Sequence, residues 1–239
     1  VSHLVVADDP SFTQGDFFAA KDISLSIDLL GYLFHKRIGI GSVLIDGFRV
    51  TIIRQKDGRL NLQSIAQTSG SKSKEQKPEE PPGPMALPAI LISSFKGSNG
   101  EVAYLDHATE PPAELKVSDL NFVLSKISLT EKFPFTFEGR VLSSTKNIRV
   151  EGKAQVNLGT NELTLSELKG ETDLSQILLE KIPASFPVVQ GAVLPVSLKG
   201  TAQINLERMT AGPKGMTESA GDIVLNDGLL QFTQMALPL

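Results

Sequence analysis

Three histidines are the natural place to look for acid–base or metal chemistry in this chain of 239 residues. His3, His35 and His107 lie far apart, and none falls in an HExxH or comparable ligand spacing. Asp106-His107 has the residue types of a ligand pair, but its setting reads as the exposed end of a turn. Cysteine is absent, which removes disulfides, thiolate metal sites and thiol nucleophiles and leaves the redox compartment open. No GxSxG sets a serine on a nucleophile elbow. Gly39-Ile-Gly41 lacks the third glycine of a dinucleotide fingerprint and runs into a strand. Gly212-Pro-Lys-Gly215 lacks the order of a phosphate loop. The chain carries 27 carboxylates, enough for pairs to arise by chance. The expectation is no enzyme, no cofactor and no metal. A net charge of −4 offers no excess of cations to neutralise phosphates, so nucleic acid is not an expected partner. Without Trp, and with only Tyr32 and Tyr104, sugar stacking is poorly served.

The pattern with information is the period of two. Ile148, Val150, Gly152, Ala154, Val156 and Leu158 alternate with Arg149, Glu151, Lys153, Gln155 and Asn157. Val196, Leu198, Gly200, Ala202, Ile204 and Leu206 alternate with polar residues, and so do Phe133, Phe135 and Phe137. Side chains alternate faces along a strand, so each run has one apolar and one polar face. That is the mark of half-buried antiparallel strands. Shorter strands are expected over Ile23–Ile27, Ile38–Ile45, Arg49–Arg54, Ala89–Phe95, Glu101–Leu105 and Leu115–Leu124. The last changes phase between Val117 and Leu120, which predicts a bulge. Asp46-Gly47, Asp57-Gly58, Asn99-Gly100 and Asp227-Gly228 tolerate positive φ and mark expected turns.

The rest is punctuation. Gln67 to Met85 holds three Lys, three Glu and four Pro with no apolar residue before the Met, and reads as a flexible spacer. Expected boundaries are an N-terminal β segment at 1–66, the spacer at 67–86 and a long-stranded segment at 87–239, expected to continue the first as one sheet, with the spacer a loop thrown out of a hairpin. Arg208 to Ser219 reads as a long loop. Three short helices are expected: Asp173 capping a run to Lys181 that Pro183 stops, Asn61 capping Leu62–Ala66, and Asp28 capping Leu29–Phe34. Gly152–Leu158 and Gly200–Leu206 agree at five of seven positions, a weak internal repeat. No apolar stretch approaches the ~18 residues needed to cross a bilayer as a helix, and a start at Val1 reads as a fragment or processed product.

Strands of eleven residues reach ~36 Å at roughly 3.3 Å per residue, longer than a compact sandwich needs. They suit an elongated twisted sheet whose apolar face must be covered by a second sheet, by helices or by a ligand. Such a face either forms an ordinary core or, being longer than the ~15 Å of half a bilayer's hydrocarbon, holds an acyl chain.

The N-terminal third adds a resemblance. Pro10-Ser-Phe12 and Phe17-Phe18 lead into Ile23-Ser-Leu-Ser-Ile-Asp28. Gly41-Ser-Val-Leu-Ile-Asp-Gly47, Val50–Arg54 and Lys56-Asp-Gly-Arg-Leu-Asn-Leu62 follow in order. This succession resembles the AsmA family over residues 5–66 and more loosely to about 125, with Leu60 where that family often has Trp. Asp57, Gly58 and Asn61 form an architectural corner in this reading, with no catalytic role. The resemblance implies a mainly β protein with a taco-like open groove or partly closed sandwich, related to repeating β-groove proteins. It further implies a periplasmic location, an inner-membrane anchor preceding Val1, and phospholipid acyl chains as ligands moved between the membranes. The groove-lining candidates are Phe133, Phe135, Phe137, Ile148, Val150, Val156, Leu158, Val196, Leu198, Ile204 and Leu206. The alternatives are a periplasmic scaffold acting on outer-membrane assembly through other envelope proteins, and an unrelated β-sandwich binding module.

Overall fold

The computed structural model describes residues 1–28, 39–63, 92–128, 130–157, 159–160, 162–212 and 215–232. Leu158, the expected helix over Leu29–Phe34 and the spacer at 67–86 lie outside these residues. Ten strands form one sheet whose spatial order follows the chain. They are β1 (Ser2–Ala7), β2 (Asp16–Asp28), β3 (Gly39–Arg54), β4 (Ile92–Asp106), β5 (Ala113–Ile127), β6 (Phe133–Val141), β7 (Ile148–Asn157), β8 (Glu162–Asp173), β9 (Ser197–Gly212) and β10 (Gly215–Gln231). β1 and β10 are the two edges and do not pair with one another, so the sheet is open. The chain is therefore mainly β, as its alternation requires. The longest strand, β10, has 17 residues, or ~56 Å at roughly 3.3 Å per residue.

Adjacent strands are antiparallel throughout, except that β3 and β4 are parallel. This corrects the hairpin expected around the spacer. A parallel partner demands that the chain return to the starting end of the sheet, and a long connection meets that demand at small extra closure entropy.

Three of the four expected turns are kinks inside strands. Gly47, Asn99 and Asp227 have φ of 59°, 52° and 51°, but β3, β4 and β10 continue through them. The conformational need is the same in a turn and a bulge, so an Xaa-Gly dipeptide cannot tell the two apart. Asp57-Gly58 is a true turn: the Gly58 N–H donates to the Gln55 carbonyl at 2.9 Å, and Arg54 bridges Leu60. The bulge expected in β5 is present at Asp119 (φ 49°), where the register against β4 slips. The long loop expected at 208–219 is instead the meeting of β9 and β10, paired to Gly212–Gly215.

The helix expected from Asp173 to Lys181 is two 3-10 turns, Leu174–Gln176 and Leu179–Lys181, followed by one α-helical turn, Ile182–Ser185. Asp173 does cap, accepting from the Ser175 N–H at 2.9 Å. The Leu178 N–H, however, donates to the Leu142 carbonyl, which breaks the run, and Pro183 sits in the first turn of the α segment. A helix this short has little cooperativity to resist such a tertiary bond.

Candidate functional site: an apolar groove

Cross-strand register turns the alternation into two continuous faces. Ile23, Ile45, Gly97, Phe122, Phe137, Val150, Gly170, Ile204 and Ile223 are successive partners from β2 to β10. At ~4.8 Å between strands this apolar row is ~38 Å long. A second row on the same face runs Leu25, Val43, Phe95, Leu124, Phe135 and Gly152. The row between them, on the other face, is Ser24, Leu44, Lys96, Val123, Thr136, Glu151, Lys169, Asn205 and Asp222.

Aromatic rings form the floor of the apolar face. Phe122 meets Phe48, Phe95 and Phe137 at centroid distances of 5.5, 5.1 and 5.9 Å, and Phe137 meets Phe135 at 5.2 Å. Glycine at 97 is required here, because a Cβ at that position would enter the Phe122 ring. Phe133, Phe135 and Ala154 are buried, with Leu124, Ile127, Phe137, Val150, Val156, Leu165 and Leu168 packed around them.

Above this floor lies an open cavity of about 630 Å³, within the roughly 300–1,000 Å³ of small-molecule sites. Of the residues singled out in the sequence, Phe133, Phe135, Phe137, Ile148, Val150 and Val156 line it. Ile204 and Leu206 continue the same face toward β10, paired to Gly170 and Leu168. Leu198 pairs with Leu230 further along β9, while Val196 precedes that strand and is exposed. The repeated segments thus share a face but not a height: Ile204 is level with Val150, not with Val156. Sequence reasoning passed over Val102, Val117, Leu120, Leu124, Leu163, Leu165 and Leu168, which also line the cavity. For β8 the signal was a phase change like that of β5, since Glu167 (φ 53°) slips Leu168 onto the face of Leu165. Glu138 borders the cavity, but its carboxylate accepts from Lys146 and Asn121 and is held below its ordinary value by them.

No element covers this face among the described residues. The short turns between β8 and β9 lie by the opposite face, beside Lys116, Ser118 and Arg140. Toward the edges the apolar side chains meet solvent: Leu25 is 59% exposed, Ile204 37% and Ile223 73%.

One end of the groove is polar. Two and four residues beyond Val102 on the same face stand Tyr104 and Asp106. Asp106 accepts from the Ala108 N–H at 2.9 Å, from Arg54 Nη1 at 3.2 Å and from the Tyr104 hydroxyl at 3.3 Å. Burial works to raise the Asp106 carboxyl, but these donors outweigh it and hold it below its ordinary 3.8. Burial and the Asp106 charge push the Tyr104 hydroxyl up. The sign for stability follows. A lowered native value means that Asp106 contributes fully above its unfolded value and loses that contribution as pH falls through the native one. Asp106→Asn is therefore expected to flatten the decline of Tm between about pH 5 and pH 3. Parallel Tm profiles for the two proteins would contradict this.

Asp57, Gly58 and Asn61 stand at the same end. Asp57 pairs with Arg59, which lies over the Phe12 ring. Asn61 is expected to cap Leu62–Ala66, of which the described residues reach Gln63. Asn61 itself is helical, and its amide is directed to β3 and Asp8: its Oδ1 accepts from the Ile53 N–H at 3.0 Å, and its Nδ2 donates to the Thr51 carbonyl at 2.9 Å and to Asp8 Oδ2 at 2.7 Å. The side-chain amide thus serves β3 as a neighbouring strand would, beyond Phe18–Val50 where the β2 ladder ends. Among the described residues no three His, Asp or Glu side chains gather as a metal site, and no helix is long and apolar enough to cross a membrane. Neither a protein-family model nor a curated protein matches the chain.

Proposed function

We propose that this chain is a segment of an AsmA-like envelope protein that holds phospholipid acyl chains along the groove and assists their passage between inner and outer membranes. One observation carries the reading: a ~38 Å apolar row crosses nine strands with no covering layer among the described residues. An acyl chain laid along that row exchanges water for Phe122, Phe137 and Val150, at about 25 cal/mol per Å² removed from solvent. Such burial is non-directional, so a chain slides from rung to rung without breaking a specific bond. The head group stays at the wet margin, and selectivity among acyl chains is broad.

The test is native mass spectrometry with lipid extraction on the chain expressed with an envelope signal. The wild type should retain phospholipid. Ile204→Asp should lose it while staying folded, because a side chain 37% exposed lets the carboxylate reach water. Gln155→Ala, on the polar face, should retain it. A folded wild type free of lipid would overturn the carrier reading and favour a scaffold that works through protein contacts.

A further inference from the structure

The connection between β8 and β9 has a composition unlike the rest of the surface. From Ile182 to Val196 it reads IPASFPVVQGAVLPV, with no charged residue and only Ser185 and Gln190 bearing polar side chains. Its apolar side chains face outward: Val188 is 92% exposed, Val193 63%, Val196 57% and Phe186 44%. Single exposed apolar residues are ordinary, but this many on one uncharged stretch are not.

The segment is punctuated by proline, and its turns close part of its backbone. Pro183, Pro187 and Pro195 have no N–H to satisfy. The N–H groups of Phe186, Val189, Gln190 and Ala192 donate to Ile182, Phe186, Pro187 and Val189, and that of Val196 donates to Gln231. Protein interfaces draw about one hydrogen bond per 100–200 Å², and this segment offers only two polar side chains to make them. The interfacial zone of a bilayer asks for what the segment has, apolar side chains facing outward with no charge among them, and its water and head groups serve the backbone donors the turns leave open. Lys181 and Lys199 bracket the segment, both exposed, with stems long enough to leave their ammonium groups among phosphates.

We infer that residues 182–196 insert into the interfacial zone of one leaflet and dock the sheet on a membrane surface. Fifteen residues of irregular backbone do not cross ~30 Å of hydrocarbon, so the segment lies in the leaflet and does not span it. Docking does not require the groove to hold lipid, so this inference stands apart from the carrier reading.

The experiment is flotation of the whole chain with vesicles of phosphatidylcholine alone and of phosphatidylethanolamine with phosphatidylglycerol. The wild type should float with both, and on phosphatidylcholine it should do so at high salt, since the contact is apolar. Val188→Asp combined with Phe186→Asp should cut the floated fraction by about tenfold. Ile204→Asp should float as the wild type does, which separates docking from groove occupancy. Because the chain has no tryptophan, Val188→Trp supplies a single reporter whose emission should move to the blue on adding vesicles. A wild type that stays at the bottom of the gradient, or a double variant that floats equally, overturns the inference and leaves the segment to a protein partner.

Discussion

Asn61→Ala is expected to destabilise the fold by about 3 kcal/mol or more, read as a lower urea midpoint with an unchanged m-value. Asn61 is fully buried, at 0% exposure, and its amide answers three groups, two of them on residues that are themselves buried, Ile53 and Asp8. Alanine leaves the Ile53 N–H, the Thr51 carbonyl and one oxygen of the buried Asp8 carboxylate without that partner. The cost is the desolvation of those groups rather than the mere loss of one bond. Asn61→Asp makes the mechanism visible. It sets a second carboxylate against Asp8 where an N–H donor stood, so two like charges compete for one site. That variant should be worst near neutral pH and recover part of its stability as acid supplies a proton to share. Asp57→Ala, four residues earlier in the same corner, removes an exposed carboxylate and should move the urea midpoint far less than Asn61→Ala does. Similar losses at 57 and 61 would show that the corner is a surface turn and that Asn61 is no surrogate strand.

The contrast between these two residues shows what was legible beforehand and what was not. Alternation alone reached the two-faced strands, because period two is a local property of the chain. It also found Phe133, Phe135, Phe137, Ile148, Val150 and Val156 for the cavity. The β5 bulge was legible because a phase slip leaves a mark in hydrophobicity. Strand continuity through Gly47, Asn99 and Asp227 was not, since one positive φ serves a turn and a kink equally. The parallel pairing of β3 with β4 was not legible either, because a spacer of Lys, Glu and Pro carries no record of which end of the sheet it returns to. Asn61 looked like a cap by position. Its larger role depends on Asp8, 53 residues away, and on where β2 stops. Register across strands is the level at which single apolar runs become one row, and no single run contains it.

Phe135→Ala is expected to cost about 3–4 kcal/mol, whereas Ile223→Ala should change stability by no more than about 0.5 kcal/mol. Both residues belong to the apolar face, so a calculation from residue type alone would put both in a core. Phe135 is 4% exposed, packs on Phe137 and stands level with Gly152. Removing its ring opens a void that β5, β6 and β7 cannot close, because their ladders fix the distances between them. Ile223 lies on the same face at the β10 edge and is 73% exposed, so truncation there removes side-chain atoms that are already in water. If a covering layer existed over the whole face, Ile223→Ala would behave as a buried truncation and cost about 2 kcal/mol or more. Urea midpoints for the two variants therefore measure how the sheet divides its apolar surface between holding itself together and remaining available. A large loss at 135 with none at 223 means that the floor is rigid where the phenylalanines interlock and open toward the edge. That division is what a lipid-holding groove needs, because a face wholly consumed by its own core has nothing left to offer an acyl chain.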